Sequence, residues 1–195
     1  MGKRRNTWQQ FSSEIEATYA KGGFFKSDKI EATFENWHIV YDTMSLPLGS
    51  VILLYTRIRT PFIAKTDFKF RISKKTFLNK LAEKFGKSDI QTGDSSLDDF
   101  FVIKSNSAEK VKHLLSDEKI KSLLLKKADS DFEISHGYTS VGRQFPENCD
   151  GLSLVVLYGN EDKDRLMLYY NLFGEILTSL LESGEIEDAP ADVKL

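Results

Sequence analysis

The sequence predicts an α+β fold, a largely antiparallel multi-stranded sheet packed with N-terminal, middle and C-terminal helices. Three observations carry that reading. Apolar residues alternate with polar ones over residues 30–41 and 67–73, the period of a half-buried strand. They recur at offsets of three and four near residues 8–19, 77–85 and 166–180, the period of a helix stripe. The strand-like stretches come in runs rather than alternating singly with helices, which favours antiparallel pairing.

In chain order, Trp8, Phe11, Ile15 and Tyr19 mark a first helix over residues 6–20, capped by Asn6 or Thr7, and the glycines of KGGFF end it. Ile30, Ala32 and Phe34, then Trp37, Ile39 and Tyr41, predict a hairpin turning at Glu35-Asn36. After a turn at SLPLGS, the stretches VILLYTRIR (51–59) and DFKFRIS (67–73) read as a second hairpin. Phe77, Leu78, Leu81 and Phe85 then share a helix face that stops at Gly86.

FFVI (100–103) and LSLVVLY (152–158) are apolar at both parities, so both are expected centrally in the sheet, covered on two faces. Between them Asn106 and Glu109 resemble a capping box, and Asp117 caps a helix that turns Ile120, Leu123 and Leu124 inward. Weaker strands are expected at 131–135 and about 138–145, with His136-Gly137 at their turn. A final helix over about 162–182 presents Leu166, Tyr169, Tyr170, Phe173, Ile176, Leu177 and Leu180.

With 195 residues the chain is long enough to bury about 70% of its unfolded surface, so neither a disulfide nor a structural metal is needed. One globular domain is expected over 1–183, followed by an acidic, flexible tail over 184–195. A single cysteine, Cys149, and polar residues where a secretion signal needs an apolar stretch point to the cytoplasm. The apolar runs are far shorter than the roughly 20 residues of a membrane-spanning helix.

The net charge of −2 conceals an asymmetry: the segment from Arg57 to Lys87 is strongly basic, whereas the chain beyond Glu147 is acidic. Arg57 and Arg59 share a strand face with Tyr55, and Lys69 and Arg71 share one in the next predicted strand. If those strands pair, one sheet surface carries all four cations, suited to an anionic ligand such as the phosphates of nucleic acid or a nucleotide, or to the headgroups of a membrane surface. The loop TPFIAKT, with Phe62 and Ile63 beside Lys65, could then touch a membrane interface.

Asp94 and Asp98 are the candidate ligands for a hard divalent cation. Their spacing lacks the regular acidic positions of a calcium loop, and the simpler reading has Asp94 closing a turn on its own backbone. His38, His113 and His136 show neither metal-ligand spacing nor an adjacent nucleophile. Cys149 lies between Glu147 and Asp150, neighbours that disfavour a reactive thiolate. No glycine-rich phosphate loop is present, and no cofactor is implied.

The succession WHIVYDT, YTRIRTPF, FKFRISKKTF and FGKSDIQTGDSSLDDFFVIKSN resembles a widespread family of uncharacterised bacterial proteins, on the set Gly93, Asp94, Asp98, Phe101 and Lys104. The resemblance spans Trp8 to about Leu181 and implies a bacterial origin and a shared fold, with no activity attached. The functional expectation is therefore a non-enzymatic binding module, joining a protein partner or a second copy through Arg57, Arg59, Lys69 and Arg71. A divalent-metal enzyme built on Asp94 and Asp98 is the alternative.

Overall fold

The computed structural model describes residues 2–23, 27–48, 50–75, 89–126, 132–136, 148–157, 162–193 and 195. Its elements are α1 (Gly2–Glu14), β1 (Thr18–Ala20), β2 (Lys29–Phe34), β3 (Trp37–Leu48), β4 (Val51–Ala64), β5 (Phe70–Lys74), α2 (Ser95–Asp98), β6 (Phe101–Ser105), α3 (Ala108–Leu115), α4 (Glu118–Leu125), β7 (Phe132–His136), β8 (Cys149–Leu157), α5 (Lys163–Glu182) and β9 (Ile186–Pro190). The expected helix over 77–85 and the expected strand over 138–145 fall outside the described residues.

The fold class is as predicted: among the described residues nine strands form one antiparallel open sheet in the order β1-β2-β3-β4-β8-β7-β5-β6, with β9 joined to β4. Alternation along β4 sets the layers. Thr56, Ile58, Thr60 and Phe62 are buried; Ile58 and Phe62 join one core with Trp8 and Phe11 of α1 and with Leu166, Tyr169, Phe173 and Ile176 of α5. Each fully buried large apolar side chain there is worth about 1.5–3 kcal/mol. Asp28, 2% exposed, fastens α1 through Arg5 at 3.3 Å and Arg4 at 3.6 Å. Burial pushes that carboxyl up, while the Gly22 N–H and the two arginines outweigh it and hold it below the usual range.

Local signals held well where polar atoms close them. Asp117 accepts from Lys119 N and Ile120 N at the head of α4, and Asp162 caps α5 in the same way. At α3 the cap is Ser107 rather than Asn106. Asn106 is occupied elsewhere: it accepts from Lys69 N at 2.8 Å and donates to Asp67 O at 2.6 Å, pinning the approach to β5.

Several expectations are corrected. The first helix ends at Glu14, and Tyr19 lies in β1, across from Ile30 of β2. The chain reverses there through Glu16, whose φ is 53°. SLPLGS is mostly strand: Ser45 to Leu48 pair with Leu54 to Val51. The stretches 51–59 and 67–73 do not form a hairpin, because β8 and β7 lie between β4 and β5. β8 takes that central place with Leu154 and Val156 in the main core and Val155 packed on the other face, the two-sided cover that its apolar run predicts.

The other two-sided strand, β6, is last in the order instead of central. Phe101, Val102 and Ile103 are buried all the same, and Ile90 N donates to Ile103 O on the far edge at 2.8 Å. Phe100 stands outside the strand, 45% exposed. The C-terminal segment is no loose tail: Ile186 is buried, β9 pairs with the end of β4, and Lys29 Nζ donates to Leu195 O at 3.0 Å.

Candidate interaction surface

The sheet does not gather the four basic residues into one cluster. Arg57 and Arg59 share a face and clasp the same carboxylate. Arg57 donates to Asp42 Oδ1 at 2.8 Å and Oδ2 at 2.7 Å, and Arg59 donates to Oδ2 at 2.7 Å. Asp42, directly across on β3, thus offsets one of their two charges. Arg71 lies in the same row as Arg59, but Ser153 of β8 and Ser135 of β7 stand between them, bonded to each other at 2.8 Å. Three strand spacings of about 4.8 Å separate the two arginines, and Arg71's direct neighbour is Lys104 of β6. Lys69 precedes β5, and its backbone N–H and C=O are held by Asn106 and Ser105. The TPFIAKT expectation is corrected too, since Phe62 is fully buried.

Asp94 and Asp98 do meet, around one turn, with their oxygens already in use. Gly93 adopts a φ of +90°, a conformation that favours glycine, and lets the chain swing into α2. Asp94 caps that turn, accepting from Ser96 N at 2.9 Å and Ser96 Oγ at 2.6 Å, and its other oxygen takes Lys121 Nζ at 2.5 Å. The Lys121 and Ser96 donors lower its pKa to about 2. Asp98 reaches back to Thr92 N and Thr92 Oγ1, both at 2.9 Å, and to Gly93 N at 3.0 Å. Burial pushes the Asp98 carboxyl up, and the Thr92 and Gly93 donors prevail and lower it. A cation there would have to displace these donors. Among the described residues no group of three or more His, Cys, Asp or Glu is placed to hold a metal ion.

The histidines lie on three different elements. His38 is half-buried on β3 and His113 is exposed on α3. His136, expected in a turn, ends β7 in the core at 2% exposure. The rings of Phe62, Phe70 and Phe68 surround it at 5.1, 5.3 and 5.6 Å, and neither ring nitrogen has a hydrogen-bond partner among the described residues. Burial, helped by the charge of Lys69, pushes its pKa down to about 4, so it is neutral near pH 7.

Phe68 also floors a cleft of about 410 Å3 between α3 and the end of α5, with His113 on its wall. At its base Lys110 Nζ lies 2.9 Å from Glu185 Oε1 and 5.6 Å above the Phe68 ring, and the Thr66 hydroxyl donates to the same carboxylate. Glu185 is 5% exposed. This ion pair ties α3, the β4–β5 connection and the α5–β9 corner together.

The feature that sequence reasoning passed over is an arm. Among the described residues β2 pairs with β3 as far as Asp42, and β8 pairs with β4 from Tyr55 onward. Beyond them, residues 45–48 and 51–54 pair only with each other among the described residues. One side of the arm is seated: Met44 and Leu53 pack on Tyr55 and Val155. On the other side Ile52 is 64% and Leu54 42% exposed. The signal was available, because residues 43–56 hold no charged side chain in a chain that is 29% charged.

No family model matches the chain. No curated protein matches it either.

Proposed function

We propose that the protein is a non-enzymatic protein-interaction module whose docking element is the β3–β4 arm, and that the arm takes an uncharged, extended strand of a protein partner. The carrying observation is Ile52 and Leu54, which continue the parity that is buried core at Thr56, Ile58, Thr60 and Phe62 and yet stand exposed. Apolar side chains beside backbone edges that no described residue pairs suit strand addition, in which main-chain hydrogen bonds supply affinity and alternate side chains supply selectivity. A lipid interior suits them less, since it would leave the N–H and C=O groups of an open edge without partners. The paired state of Arg57 and Arg59 moves the reading from the cationic face to the arm.

A photoreactive group at position 54 in cells tests it. The expected result is a discrete protein adduct, with slowed amide exchange over residues 51–54, that Ile52→Lys abolishes. Labelling confined to lipid, or no adduct at all, would overturn the reading.

A further inference from the structure

Resting on that reading, we infer that the docking strand is the same arm of a second copy of this chain, paired antiparallel about a twofold axis along the edge of β4 that no described residue pairs at 51–54. In a twofold pairing of identical strands, symmetry mates face each other near the axis. A charge on the strand would then meet its own like, which destabilises cross-strand pairs. Residues 43–56 carry no charge, so the arm is compatible with itself throughout. Most monomeric proteins protect exposed edges with lysine, bulges or proline.

The two edges of the arm differ in this respect. β3 carries Pro47, which has no N–H to give to a ladder, whereas Val51, Ile52, Leu53 and Leu54 of β4 all keep theirs, and alternate N–H groups of a strand paired on one side point to the other. β4 is therefore the pairing edge, and among the described residues β8 stops short of it at Tyr55. Pairing there brings Ile52 and Leu54 of one copy beside those of the other and removes both from water. The nearest charges at the base, Arg57 and Asp42, are already bonded to each other.

Sedimentation velocity on the full chain over a wide concentration range tests the inference. The expected result is a monomer–dimer equilibrium that Leu54→Lys weakens about tenfold or more, and that Ile52→Val leaves in place. As a second arm, Leu54→Cys in a Cys149→Ser background should give a disulfide-linked dimer under mild oxidation. A wild-type chain that stays monomeric with no Leu54→Cys cross-link, or a dimer indifferent to Leu54→Lys, overturns it. A monomeric chain that still yields a specific adduct with another protein at position 54 removes the self-pairing alone; no adduct of either kind removes the arm reading as well.

Discussion

The two ends of β4 have the same alternation and the same kind of residue on one face, and opposite fates. From Thr56 to Phe62 that face lies under helices, with Ile58 and Phe62 wholly buried; at Leu54 and Ile52 it stands in water. Periodicity therefore identifies which face of a strand is apolar and leaves open what covers it. At the base the cover is α1 and α5 of the same chain, and at the arm it is the proposed partner.

The largest effect should come from breaking the covered end. Phe62→Ala removes a fully buried ring that also walls His136, and should cost about 3–5 kcal/mol in chemical denaturation. A loss below about 1 kcal/mol would mean that the base of β4 is no better packed than the arm.

The same contrast explains what was legible in the residues. Strand and helix periods located β2 and α5, apolar runs located β4 and β8, and a capping aspartate marked the start of α4, because each signal lives within a few residues of its structure. Neighbour relations were not legible, because β4 meets β8 across about a hundred residues of chain, and no local pattern in VILLYTRIR distinguishes that partner from β5. Three-residue β1 was too short to show a period, and β9 has one apolar anchor, Ile186, in an acidic stretch whose composition alone reads as frayed. Of the candidate site, the pairing of Arg57 and Arg59 with Asp42 needed the register of β3 on β4. The arm was visible as an absence of charge, a signal easily passed over when searching for charges.

A second way to sharpen the comparison uses pH. His136 titrates near 6.5 when unfolded and near 4 when folded, so the unfolded chain binds the extra proton between those values. The stability tied to its neutral form is complete above pH 6.5 and declines as pH falls through that window, by about 3 kcal/mol in total. Below about pH 4 both states are protonated and this group adds no further slope. The carboxylates also titrate in acid, so the informative quantity is the difference between the wild type and His136→Phe. That difference should shift in favour of the variant from pH 7 to pH 4, and a constant difference would mean that water reaches His136 in the folded state. No such pH-linked term is expected from the arm, whose residues 43–54 hold no titratable side chain.

The smallest effect is the most diagnostic. Leu54→Ser, measured where the chain is dilute enough to be monomeric, should change stability by no more than about 0.5 kcal/mol, because an exposed side chain loses little when it is shortened. Ile58→Ser, four residues along the same face, should cost several times more: it empties a fully buried site and places a hydroxyl there. At higher concentration the two variants should part in the opposite sense. The wild type gains apparent stability from association by mass action, and Leu54→Ser forfeits that gain while keeping its monomer stability. A Leu54→Ser chain whose unfolding midpoint rises with concentration as steeply as that of the wild type would separate the arm from assembly, and its exposed leucine would then be ordinary surface.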